Sequence, residues 1–236
     1  MKSYVYGLIG VILMMVACTP PVVFDQPYPI DESNLETLPN LYQGSFICES
    51  DSSLLLIQDY EIMIRKENYF TLPLKYIEER EDCNMDGNEM FVSGRAECIP
   101  VEFVNDSTVR GIVIEHDTLF AMKEKSVARM YEGHLVLSQE VKDDEWAVSF
   151  LSLEPNADVV YRAITDKTKI KAVGKVTSVE NITTLEDKNN RYKIKPTMKQ
   201  FDELFHNEEV FIECEYLTRV QLESEFTEPI ILKGIN

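Results

Sequence analysis

The chain has 236 residues and carries 41 Asp and Glu against 23 Lys and Arg, a formal charge of −18. That balance argues against a nucleic-acid partner, because phosphate backbones are met by basic patches, and against lying flat on anionic lipid. Apolar residues make up 44% of the chain, enough for one sizeable domain or two small ones.

Chain order begins with a secretory pattern over residues 1–17. Lys2 is the only charged residue before Cys18, and a short apolar run ends at Val16. This is a basic start followed by an apolar stretch too short to span a bilayer. The end, Met15-Val16-Ala17-Cys18, resembles a bacterial lipobox, with Met15 where leucine is commonest. The resemblance implies that the signal peptide is cut before Cys18 and that Cys18 receives diacylglycerol and palmitate-type acyl chains. The protein would then be a membrane-anchored lipoprotein of the cell envelope, held at the outer membrane. Buried acyl chains at about 0.8 kcal/mol per methylene make such an anchor stable.

Residues 18–40 contain Pro20, Pro21, Pro27, Pro29 and Pro39. Proline lacks a donor and fixes φ, so the segment reads as an extended tether rising about 3.1 Å per residue. The competing expectation is that Val22, Val23 and Phe24 dock as an edge strand.

Residues 41–165 read as an antiparallel β body. Short apolar alternations are broken by turn clusters at Glu49–Ser53 and Asn105–Ser107. Two strands are expected around Gln58-Asp59-Tyr60, and a hairpin around Asp143-Asp144-Glu145. Trp146, Val148 and Phe150 fall on one face of a strand. Residues 166–236 are β-rich with one helix at about 197–206. There Thr197 and Gln200 fit a capping box, and Met198, Phe201, Leu204 and Phe205 make one apolar face. The following strand alternates through Val210, Ile212, Cys214, Tyr216 and Val220. The fold class expected is mainly β, an antiparallel meander closed as a barrel, packed as a sandwich or arranged in propeller-like sheets, with a small C-terminal α+β element.

The stretches "CTPPVVFDQPYP", "LPNLYQGSF", "SSLLLIQDYEIMI" and "YKIKPTMKQFDELF" resemble a group of uncharacterised envelope lipoproteins of Bacteroidota-type bacteria. The resemblance implies a cell-envelope lipoprotein and carries over no catalytic residue.

With Cys18 taken by lipid, Cys48, Cys83, Cys98 and Cys214 remain. An even number in an exported chain permits two disulfides. Cys83 with Cys98 is the expected pair, by spacing around a turn. Cys214, on an apolar strand face, also reads as a buried free thiol. Asp82, Asn84 and Asp86 before Gly87 match the first half of a calcium loop. However, Ser93 stands where the closing bidentate glutamate belongs, and the same residues suit a plain exposed turn. No other cofactor is expected.

His116, His134 and His206 lie far apart in the sequence, and no GxSxG, Walker or Rossmann pattern occurs. Asp106-Ser107-Thr108 and Asp117-Thr118-Leu119 resemble O-glycosylation sites of the same bacteria and also suit turns between strands. No catalytic residue is assigned. The function expected is that of a non-enzymatic, lipid-anchored module that binds or scaffolds an envelope protein or small ligand. The alternative is a carboxylate-dependent hydrolase of carbohydrate or peptidoglycan. The anchor is tested by Cys18→Ser, which is expected to move the protein out of the membrane fraction and abolish incorporation of labelled palmitate. Retention of both membrane association and label in the mutant rules the anchor out.

Overall fold

The structure, a computed structural model, describes residues 20–95, 97–184 and 190–221. The expected signal peptide and Cys18 lie outside the described residues. The protein is mainly β, with mostly antiparallel strands and few, short helices. Among the described residues no helix is long and apolar enough to cross a membrane. The described residues form two compact units, one of residues 20–42 with Met122–Leu217, the other of Gln43–Ala121 with residues 218–221. The division falls inside the segment 41–165, which the sequence presents as one body.

The first unit is built on strands β1 (Val22–Phe24), β9 (Ser126–Tyr131), β10 (His134–Lys142), β11 (Glu145–Leu153), β12 (Val159–Ala163), β13 (Val179–Asn181) and β14 (Tyr192–Ile194), with the start of β15 (Ile212–Val220). Its strands run β13-β14-β1-β11-β12-β15, with β10 pairing both β11 and β9. The expected hairpin forms, with Lys142 opposite Glu145 across Asp143-Asp144. Two helices, here α2 (Ile170–Val176) and α3 (Met198–Phe205), complete the unit. The α3 capping box is as the sequence predicts. Thr197 Oγ1 accepts from the Gln200 backbone N–H at 3.3 Å, and the Gln200 side-chain oxygen accepts from the Thr197 N–H at 2.9 Å. Phe201, Leu204 and Phe205 of α3 pack with Phe24, Val136, Val148 and Phe150 into one core.

The tether expectation is overturned from residue 22 onward. Val22, Val23 and Phe24 are 2%, 0% and 0% exposed. Their strand is not an edge strand either, because β1 pairs in parallel with β14 and antiparallel with β11. Tyr28 and Leu38 are buried as well. Proline removes donors from the segment, but its carbonyls still need partners, and the body supplies them. Arg129 Nη1 donates to the carbonyls of Pro27 and Pro29, and the Leu35 N–H donates to the Ala128 carbonyl. Burial of two valines and two aromatic rings outweighs the preference of proline for an extended, solvated chain.

The second unit contains β2 (Gly44–Cys48), β3 (Leu54–Ile57), β4 (Glu61–Pro73), the one-turn helix α1 (Leu74–Glu78), β5 (Cys83–Asp86), β6 (Glu89–Val92), β7 (Ile99–Asn105) and β8 (Thr108–Ala121). The order is β2-β3-β4-β8-β7-β6-β5. In both units the order is open, with no pairing of first to last strand among the described residues. One buried cluster of this unit gathers Ile77, Met90, Ile99, Val101 and Val109, flanked by Phe70 and Val113, and Phe46, Leu55, Ile57, Ile62 and Phe120 are buried as well. Gly111 is required by close approach, since a Cβ there would sit 2.6 Å from the Phe70 ring.

The packing of the N-terminal segment is testable. Tyr28→Ala is expected to cost about 3–5 kcal/mol, the range for losing a buried aromatic side chain. Urea unfolding measures it, and a cost below about 0.5 kcal/mol, as expected for a solvated spacer, would contradict the buried placement.

Candidate functional site

The calcium motif does not converge on an ion. Asn84 and Asp86 lie on the exposed face of β5, with Cys83 and Met85 on the other. Alternate residues of a strand are about 6.6 Å apart, so a straight strand cannot wrap a cation. Asp82 is held instead by the Arg80 guanidinium, whose Nε donates to Oδ1 at 2.7 Å and whose Nη2 reaches Oδ2. That pairing holds the Asp82 carboxyl below its ordinary range. The turn itself is Gly87-Asn88, with Gly87 at φ 57° and Asp86 opposite Glu89. The three residues thus form one strand and its approach rather than the turn. A shallow depression of about 300 Å³ lies beside β5, lined by Glu81, Asp82 and Asn84 and by Phe91 and Arg95.

Cys48, Cys83, Cys98 and Cys214 are all free thiols. The expected Cys83–Cys98 bond is not formed, for a topological reason. Cys83 is on β5 opposite Val92 of β6, and Cys98 immediately precedes β7, which pairs with the other edge of β6. Two strand spacings of about 4.8 Å exceed the roughly 7 Å reach between disulfide-linked Cα atoms. Cys214 occupies a bulge, since Tyr161 pairs with Glu215 while Arg162 pairs with Glu213. The expected alternation along β15 therefore breaks there. Cys214 is half-buried, and burial pushes its thiol pKa up.

A cluster of titratable groups forms in the first unit. The β9–β10 hairpin turns through Glu132 at φ 49° and Gly133 at φ 83°, with Tyr131 opposite His134. Successive positive φ values mark the tight hairpin turn in which Asn, Asp or Gly is usual. On α3 and its C-cap, Asp202 and His206 are four residues apart and share a face. His206 Nε2 lies 2.9 Å from Glu132 Oε2, and Nδ1 lies 3.4 Å from Asp202 Oδ1 and 2.9 Å from the Asp202 carbonyl. Tyr131 donates its hydroxyl to Asp202 Oδ1 at 2.9 Å. The Asp202 carbonyl, then the Glu132 and Asp202 carboxylates, hold the His206 pKa above its usual value despite partial burial. Burial and the bond to Asp202 push Tyr131 up to about 12. Beneath them, the Phe205 ring contacts those of Tyr131, His134 and Phe150 at 5.1, 5.3 and 4.5 Å between centroids.

Next to this cluster, His134 Nδ1 lies 2.8 Å from Ser152 Oγ, which also accepts from Arg162 Nη1 at 2.8 Å. Arg162 can only donate, so Ser152 Oγ accepts from it and shares a second hydrogen bond with His134 Nδ1. Burial, then the Arg162 charge, lower the His134 pKa. Ser152, near the end of β11, is 3% exposed, so this serine–histidine pair is a packed network whose hydroxyl is shielded from solvent. Two little-exposed carboxylates are likewise committed. Glu145 is paired with Arg191, and Asp158 accepts from Asn156 and Tyr216.

The second unit exposes strand edges. β4 and β8 pair along nearly their whole length, from Glu61 with Ala121 to Pro73 with Thr108. β7 covers the other side of β8 only from Thr108 to Gly111. Beyond it, among the described residues, β8 has β4 as its sole strand partner up to Phe120. Arg95 Nη2 donates to the Ile114 carbonyl at 3.4 Å on this stretch. His116, Asp117, Thr118 and Leu119 are exposed. Asp117-Thr118-Leu119 is therefore strand, whereas Asp106-Ser107 is the β7–β8 turn, with Asn105 Oδ1 accepting from the Ser107 N–H at 3.0 Å.

Compared with protein-family models, curated proteins and solved structures, the chain shows no significant match to any of them. The assembly of Glu132, Asp202 and His206 is not evident from their sequence spacing. Its available signals were the Asp-x-x-x-His spacing on the predicted helix and the Glu-Gly pair between two strands. For the calcium motif, calorimetry of the full-length protein is expected to show millimolar affinity at best. Micromolar calcium binding lost in Asp86→Ala would contradict the strand geometry.

Proposed function

We propose that this chain is a lipid-anchored cell-envelope protein acting as a non-enzymatic binding module. In this reading its partner is an extended, basic segment of another envelope protein, added as a strand to the open edge of β8. The observation that carries the reading is that edge. Unpaired N–H and C=O groups along a strand are a template for another chain, and from Ile114 to Phe120 the edge lacks a second strand among the described residues. Charge supports a basic occupant, since residues 43–121 carry sixteen Asp and Glu against six Lys and Arg. Glu115 and Asp117 stand on the edge strand itself.

The lipobox resemblance supports the anchor, and the buried N-terminal strand changes what the anchor does. Cys18 precedes the buried Val22 by four residues, a reach of at most about 14 Å. The lipid therefore holds the first unit close to the membrane instead of on a long spacer.

Co-purification from detergent-solubilised membranes tests the binding reading. The wild-type protein is expected to bring down a protein partner in stoichiometric amount. Leu119→Lys, at a side chain that is 47% exposed, is expected to lose it with unchanged circular dichroism, because an edge lysine blunts strand addition. Absence of any partner, or equal recovery with the mutant, would overturn strand addition at β8.

A further inference from the structure

We propose that Glu132, Asp202 and His206 form a binding site for a divalent transition-metal ion of the zinc class. One ligand atom from each residue lies within 4.8 Å of the other two. The closest pair, His206 Nε2 and Glu132 Oε2, lies at the hydrogen-bonding separation of 2.9 Å, so the Glu132 carboxylate needs to swing outward by only a few tenths of an ångström to share an ion with metal–ligand bonds of about 2.0–2.2 Å. The Asp202 and Glu132 side chains are 45% and 51% exposed, so their carboxylates can turn to close the remaining gap. An imidazole with two carboxylates suits zinc, cobalt or nickel, whereas calcium and magnesium take oxygen alone.

The surroundings prepare these groups as ligands. A ligating histidine usually donates its other ring N–H to a carbonyl or carboxylate, which fixes the tautomer and turns the free lone pair to the metal. His206 has that arrangement: Nδ1 is 2.9 Å from the Asp202 carbonyl, and Nε2 faces Glu132. Tyr131 donates to Asp202 Oδ1 and so orients the carboxylate. The packing of Phe205 on Tyr131 and His134 holds the helix end over the hairpin, so the three side chains are held near one another before any ion arrives.

Glu132 adds an observation of a different kind. It sits at φ 49°, where a glutamate is disfavoured and glycine, asparagine or aspartate are usual. A longer carboxylate at that position reaches His206, while a glycine would relieve the backbone. Three protein ligands leave coordination positions facing solvent, open to water or to a ligand from a partner. The ion would link residue 132 to residue 206, joining the β9–β10 hairpin to α3.

The test uses the full-length protein in detergent, stripped with a chelator and titrated with zinc chloride by calorimetry and with cobalt(II) by absorption. One ion per chain with a dissociation constant on the order of micromolar is expected. His206→Asn should weaken binding by about 10-fold or more and Tyr131→Phe by less, since outer partners typically contribute factors of that order. Glu132→Gly separates a ligand from a structural ion pair. In chelator it should be at least as stable as the wild type, because glycine accepts the positive φ, yet lose the zinc-induced rise in Tm. No saturable zinc binding, or affinity unchanged in His206→Asn, would overturn the site. So would a cobalt spectrum dominated by thiolate charge transfer, which would assign the ion to the cysteines.

Discussion

The first unit depends on the aromatic packing under α3. Phe201 stacks on Tyr28 with centroids 5.0 Å apart and meets Phe24 and Tyr131 edge-on at 6.3 and 5.6 Å. Phe205 continues the cluster to Phe150, which in turn meets Phe211. These rings come from the N-terminal segment, the β9–β10 hairpin, β11, α3 and the segment before β15, elements far apart in sequence. Each such pair contributes about 0.5–1.5 kcal/mol beyond its area burial. Without the cluster, an eight-residue helix such as α3 would not persist, since helices under about 12 residues are marginal alone. The capping box sets where α3 starts; the rings decide where it lies. The positions of Asp202 and His206 over Glu132 follow from that placement.

Polar groups are fitted into the same unit at specific points. Ser138, fully buried, donates to the Tyr28 carbonyl at 3.0 Å and accepts from the Tyr28 N–H at 3.2 Å. Arg191 and Glu145, with side chains 6% and 12% exposed, pair where β11 begins. Such a pair adds little net stability over an apolar substitute, but it is costly to break, because the remaining charge would stay buried. It therefore penalises arrangements in which the segment before β14 sits elsewhere.

The second unit is organised around its β4–β8 ladder. That ladder spans thirteen residues of β4, with Val109 buried near one end and Ile62 and Phe120 buried at the other. On the same two strands, Tyr69 is 73% exposed and Leu119 47%. Charge is the counterweight to this exposure. Acidic residues dominate the unit, and like charge opposes self-association along open edges. The same charge favours a basic occupant, so one feature bears on both solubility and partner choice.

Much of the fold was legible in the sequence because it rests on local periodicity. The alternation of β10 and β11, their Asp143-Asp144 connection, the strands around Asp59 and the α3 capping box all follow from side-chain patterns a few residues long. By itself, the sequence determined the β-rich character, the acidic surface and the presence of the C-terminal helix. Only the tertiary structure decided which strands are neighbours. It turned the proline-rich start into an interior strand, because the partners of β1 lie about 120 and 170 residues away and leave no local trace. It placed β6 between the strands bearing Cys83 and Cys98, a separation invisible to sequence spacing. It brought Glu132 to His206 across more than seventy residues. Local patterns select element types; long-range burial and pairing select their partners, and the candidate site consists entirely of partners.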